Sequence, residues 1–194
     1  MKIIVSLFIF FCLSITTHAQ RITKYERQLI NSGKAEDKMR VTLTTNSDDY
    51  DILRRQSLAI RKTQKKIWTT LSKRMLVTVQ HPDHKGVGIA APQVGINRRL
   101  ILVQRFDKEG NPFETLINPE IMAFSDSLHA RIEGCLSIPI LRDTVTRPWM
   151  IEIKYQDIQG TVIQEKLEGF TARIFQHEID HLNGVLFTDR LYKK

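Results

Sequence analysis

Cysteine is scarce in this 194-residue chain: only Cys12 and Cys135 occur. Two thiols cannot staple a small secreted framework, so the fold must rest on a hydrophobic core. Proline and glycine are sparse too, at 6 and 9 residues, and no stretch is rich in either. That excludes collagen-like fibres, low-complexity tracts and a flexible linker between domains. No internal repeat is present, and no apolar run reaches the ~20 residues of a membrane-spanning helix. Acidic residues number 21 against 29 Lys plus Arg, a formal net charge of +8. The excess favours contact with anionic surfaces without selecting one. With 42% apolar and 26% charged residues, the chain has the make-up of one globular domain.

The first residues differ from the rest. Lys2 is followed by a largely apolar run from Ile3 to Ile15, and Thr17 and Ala19 place small residues ahead of Gln20. Residues 1–19 therefore read as a secretory signal peptide cleaved after Ala19, which implies export to a periplasm or the extracellular space; a mis-assigned start would leave the protein cytoplasmic. Cys12 lies between bulky apolar neighbours, unlike a lipidation site. After cleavage Cys135 stands alone, and a lone thiol in an exported protein is expected to be buried or held by a metal.

Residues 20–49 are polar and weakly periodic and read as an extended lead-in; a catalytic domain is expected over 50–194. Ile52 to Pro82 contains no acidic residue, while Arg54, Arg55, Arg61, Lys62, Lys65, Lys66, Lys73 and Arg74 are basic. Ile60, Gln64, Ile67, Leu71 and Met75 follow three-four spacing, so the segment predicts an amphipathic helix with a cationic outer face. Such a face suits weak contact with an anionic surface or a ribosome, but lacks any pattern for specific nucleic-acid binding. Leu100–Val103 and Phe113–Asn118 predict strands, the second stopping before Pro119. Trp149–Tyr155, the Gln159-Gly160 turn and Thr161–Leu167 predict a hairpin. Phe170–Leu182 predicts a helix that Gly184 terminates.

The strongest signal is His177-Glu178-Ile179-Asp180-His181. Histidines four apart on a helix share a face, so both rings can reach one ion with the Glu beside it as a base. A catalytic site needs a third ligand. Thirteen residues follow His181 and none is Glu, which excludes the thermolysin arrangement. Phe187 stands where a metzincin has its third His. The remaining soft ligand is Cys135, in Glu133-Gly134-Cys135-Leu136-Ser137-Ile138-Pro139,. A third segment, Gly86-Val87-Gly88-Ile89-Ala90-Ala91-Pro92-Gln93, has small residues that admit a close backbone and ends on an amide donor. It is no phosphate loop, because it has neither G-x-G-x-x-G nor G-K-[ST]. On a helix Phe170, Ile174, His177 and His181 share a stripe, so two apolar side chains should wall a pocket beside the ligands.

These three segments, in this order and spacing, resemble the three motifs of the peptide deformylases, over roughly Tyr50 to Tyr192. The resemblance implies an α+β fold of antiparallel sheets packed around the helix that carries the histidines. It implies removal of formyl from N-formylmethionyl peptides with release of formate, and a divalent metal, Fe2+ by preference with Zn2+, Ni2+ or Co2+ as substitutes. Cys135, His177 and His181 would hold the metal, Glu178 would move the proton, and the Gln93 amide and Leu136 backbone N–H would stabilise the oxyanion. Val87, Gly88, Glu133, Phe170 and Ile174 would border the methionine pocket. Asp180 would support the site from outside, and Arg142 would steady the cysteine loop by an ion pair. A monomer is expected. Two other readings stay open at this level: a metallopeptidase or amidase on the same scaffold, and a peptide-binding relic without activity.

Overall fold

The computed structural model describes residues 21–61 and 65–191. The expected signal peptide, residues 1–19, lies outside them, as do Lys62 and Gln64. The segment expected to be extended holds two short helices, α1 (Lys24–Ile30) and α2 (Ser47–Leu53). Local capping makes them. Thr23 Oγ1 accepts from the Glu26 N–H while Glu26 Oε2 accepts from the Thr23 N–H, a reciprocal box, and Asn46 Oδ1 accepts from the Asp49 N–H,. At only two turns each they offer too little periodicity to be read from sequence, yet each buries an anchor, Ile30 and Leu53,.

The basic segment forms α3 (Lys65–Gln80), shorter than its spacing suggested, with Ile60 preceding it. Arg74 corrects the expected cationic face. It is buried, and its guanidinium donates to the Leu29 and Ile30 carbonyls at 3.1 and 3.0 Å. Those are end-of-helix carbonyls of α1 that lack intrahelical donors, so the charge is used inside the fold. Lys65, Lys66 and Lys73 remain outward.

Five antiparallel strands make the main sheet: β1 (Gly88–Ala90), β2 (Leu100–Gln104), β3 (Phe113–Phe124), β6 (Met150–Gln156) and β7 (Val162–Glu168), in the order β1-β2-β3-β6-β7. Between β3 and β6 come β4 (Leu128–Cys135) and β5 (Ile138–Pro148), a separate two-stranded sheet. β3 runs past Pro119 instead of ending there. Asn118 takes a positive φ of 51°, the register shifts between Ile117 and Glu120, and the irregularity accommodates a residue without an N–H,.

β2 is buried on both faces, which divides the core. Ile101 and Val103 meet Ala172, Phe175, Ile179 and Leu182 of α4 (Gly169–Leu182) on one side. Leu100 and Leu102 meet Trp68, Leu71, Met75 and Val79 of α3 on the other. The sheet is thus clamped between two helices, and the fold is α+β with antiparallel sheets around α4. One stripe of α4 buries in the core at three-four spacing, which turns the adjoining stripe with the histidines towards β4 and β5. Gly184 ends α4 at φ 70°, where a Cβ would fall 2.3 Å from the Arg54 carbonyl oxygen, so no other residue fits there. Among the described residues no helix is long and apolar enough to cross a membrane.

Candidate active site

Three elements converge on one cavity of about 510 Å³. α4 contributes His177 and Glu178, with His181 buried behind them against Cys135; the β4–β5 hairpin contributes Cys135; a 3₁₀ turn, Ala91–Val94, contributes Gln93. The ligand atoms of Cys135, His177 and His181 lie within 4.8 Å of one another. Cys135 Sγ stands 3.2 Å from His181 Nε2, and the two imidazoles are tilted at 74° with centroids 5.1 Å apart. Helix spacing alone brings the two rings to one side. The register shift after Gly134 in the hairpin presents the sulfur to them.

The remaining atoms set orientation. Glu133 Oε2 lies 2.9 Å from His177 Nδ1, which fixes the ring and leaves Nε2 as the nitrogen available to a metal,. Glu133 lines the cavity as well, and its carboxylate is committed to His177, Arg147 and Arg173. Burial opposes its ionisation, but these partners hold it far below the usual carboxylate range,. Burial likewise opposes a thiolate at Cys135, yet the two imidazoles bring its pKa well below that of an ordinary thiol. The shift is towards the thiolate, the form that ligates a metal,. A soft sulfur and two imidazoles whose donor atoms converge within 4.8 Å fit a divalent transition ion,.

Glu178 differs from Glu133 although it sits in the same cavity. It is buried, and its Oε2 has no hydrogen-bond partner among the described residues. Burial pushes its pKa up to about 7, a value suited to taking and returning a proton near neutrality. Gln93 is aimed by its own backbone neighbourhood: Oε1 accepts from the Ala90 N–H at 2.8 Å, so Nε2 points at Cys135 Sγ (3.4 Å) and Ser137 Oγ (3.3 Å). Leu136 follows Cys135 in the cavity wall.

Val87, Gly88, Phe170 and Ile174 line the same cavity. Ile174 is buried, whereas Phe170 stands half open at the rim, against Phe106 and beneath the Arg131 guanidinium. Arg142 corrects another expectation. It lies beside Gly134 across the hairpin and forms no ion pair among the described residues. The ion pair belongs to Arg147, which donates Nε and a terminal nitrogen to Glu133 at 2.6 and 2.9 Å and its other nitrogen to Asp180 at 2.7 Å. Arg147, Arg173 and Ser137 were not found from sequence, because a single Arg or Ser in a strand or helix carries no spacing that marks it.

Comparison with known proteins agrees with this geometry. The family model for polypeptide deformylase matches residues 41–194. A peptide deformylase of Thermotoga maritima is 41% identical over 140 residues, covering 72% of this chain and 81% of its own length. One from Picosynechococcus is 45% identical over 141 residues, covering 72% and 74%. Among solved structures, the Met-Ala-Ser-bound class I type b peptide deformylase of Acinetobacter baumannii superposes with a TM-score of 0.72 at 35% identity, over 80% of this chain and 99% of that one. The Thermotoga maritima structure gives 0.70 at 38%, over 80% and 99%.

Proposed function

From the membership of this chain in the polypeptide deformylase family, a metal-dependent family of enzymes that remove formyl groups from nascent peptides, we propose how its own residues divide that work. The carrying observation is the convergence of Cys135, His177 and His181 beside a buried Glu178 carboxylate with one oxygen unpartnered among the described residues. Cys135 Sγ and the Nε2 atoms of His177 and His181 would hold one divalent ion. When bound, that ion supplies Lewis acidity, drawing the pKa of water down towards neutrality. Glu178 takes the proton of the water that attacks the formyl carbon. As charge builds on the formyl oxygen, the Gln93 amide and the Leu136 backbone N–H donate to it. Glu178 then returns the proton to the departing nitrogen, and formate and a free amino terminus separate. Val87, Gly88, Ile174 and Phe170 form the wall against which a methionine side chain lies.

The metal we assign is Fe2+, on the strength of the family resemblance; the Cys-His-His donor set also accepts Zn2+, Ni2+ or Co2+. We assign an N-formylmethionyl peptide as substrate, supported by the Met-Ala-Ser bound to the similar Acinetobacter baumannii chain, and a monomeric state. The pattern of residues 1–19 supports export, in which case released formyl peptides become the substrate pool. With Lys65, Lys66 and Lys73 outward, contact with an anionic surface stays weak. Formate release from formyl-Met-Ala-Ser is the test, with acetyl-Met-Ala-Ser beside it. Turnover of the formyl peptide alone, lost on chelation and restored by Fe2+, is expected; equal turnover of both would replace this reading with a general amidase. Amino-terminal sequencing of the mature protein should start at Gln20, and a start at Met1 would remove the export assignment.

A further inference from the structure

One chain of charged contacts runs from the surface to a metal ligand. Arg190, 43% exposed, sits in a 3₁₀ turn, Phe187–Arg190, and donates Nε and a terminal nitrogen to the two oxygens of Asp180, each at 2.5 Å. Asp180 Oδ2 also accepts from Arg147 at 2.7 Å. The other two nitrogens of Arg147 grip Glu133, and Glu133 in turn accepts from His177 Nδ1. Arg147, Asp180 and Glu133 are all buried, so none can exchange a lost partner for water cheaply,. We propose that Arg190 is a positioning residue for the metal centre: it pins Asp180, so that Arg147 stays forked across Asp180 and Glu133 and Glu133 keeps His177 in its ligating tautomer.

The physical reason is competition for one guanidinium. Asp180 is a buried carboxylate whose charge is shared between an outer and an inner arginine. Without the outer one, its demand falls wholly on Arg147, whose fork is planar and rigid, so it cannot turn towards Asp180 and keep both bonds to Glu133. Glu133 would then shift, and the His177 ring with it. Partners that orient ligating histidines in this way are typically worth on the order of 10–100-fold in metal affinity. The same 3₁₀ turn offers an internal control, since Arg54 is paired with Asp189, the residue beside Arg190.

The inference rests on the metal assignment to Cys135, His177 and His181, and the experiment separates the two. Co2+ affinity is measured by chelator competition for the full chain and for Arg190→Gln, Arg190→Lys and Arg54→Gln, with the Co2+ absorption spectrum recorded for each. Arg190→Gln is expected to weaken Co2+ binding about 10-fold or more and alter the spectrum. Arg190→Lys, which keeps the charge and loses the fork, should fall between, and Arg54→Gln should match the parent. Unchanged affinity in Arg190→Gln, or an equal loss in Arg54→Gln, overturns the proposal. If Arg190→Gln does not fold, the Lys variant decides, and parental affinity there overturns it. Failure of the parent to bind Co2+ would overturn the metal assignment and this proposal with it.

Discussion

Substituting Gly88 by alanine adds a single methyl group, and the structure states where it lands. The new Cβ would lie 2.5 Å from Glu178 Oε1, 3.0 Å from Glu178 Cδ and 2.8 Å from Ile174 Cγ2. Heavy atoms in contact settle near 3.5–4.0 Å, so the Glu178 carboxylate has to retreat by about 1 Å. Glu178 is buried at the cavity wall, and the retreat takes its oxygens out of their native positions. A misplacement of about 1 Å in a catalytic constellation costs on the order of 100-fold in rate, or ~2.7 kcal/mol on the barrier. None of the three atoms nearest the added methyl belongs to a metal-ligand side chain. The Gly88→Ala enzyme should therefore retain a full complement of metal while kcat/KM for formate release from formyl-Met-Ala-Ser drops about 100-fold. A kcat/KM within threefold of the parent, at full metal content, would refute the assignment of Glu178 as the proton carrier in this geometry.

Other perturbations follow from the same structure. Glu178→Gln should lower formate release by roughly 10²–10⁴-fold with metal content unchanged, and an active variant would show that the proton moves elsewhere. Glu26→Gln removes one side of the buried pair with Arg98, 2.6 Å apart. We expect it to cost about 3 kcal/mol in urea unfolding while leaving kcat/KM intact; no loss would mean that α1 is dispensable. Burial alone would raise the pKa of Glu26, but Arg98 and Thr23 outweigh it, so its folded value lies below the unfolded one. The stability it contributes is thus complete above the unfolded value of ~4.3 and fades as pH falls towards the folded value. Between pH 6 and pH 3 the Gln variant should lose less stability than the parent, and parallel slopes would contradict the pairing. Gln93→Leu should reduce kcat on the order of 100-fold with KM little changed, whereas a change in KM alone would make Gln93 a substrate contact only.

Residues on one continuous helix could be read from the sequence because their geometry follows from spacing. His177, Glu178 and His181 share a face of α4 by the 3.6-residue period, and Phe170 and Ile174 extend the same stripe. Cys135 could be reached only by elimination, since nothing local ties it to a helix more than 40 positions later in the chain. The hairpin that presents it escaped notice altogether. In β4 apolar Leu128, Ala130 and Ile132 do alternate with His129, Arg131 and Glu133, but that apolar side is exposed rather than core-facing, and Ile138–Pro148 carries no matching alternation,. Arg147, Arg173 and Arg190 were invisible for a related reason: what defines them is a buried carboxylate on another element. Arg74 shows the converse, a residue that sequence placed outside because charge is usually solvated, while the open carbonyls at the end of α1 drew it in. Pro119 was read as a strand terminator, but Asn118 absorbs the irregularity by adopting a left-handed conformation that asparagine tolerates,.

Diffraction recorded on either side of the absorption edge of the metal, on crystals of the purified protein, tests the central claim most directly. The account predicts one anomalous peak per chain, about 2.3 Å from Cys135 Sγ and about 2.1 Å from one nitrogen each of His177 and His181, with Glu178 beside it but not bound. A peak away from these three atoms, or a fully metallated protein whose Cys135 sulfur faces elsewhere, would contradict it.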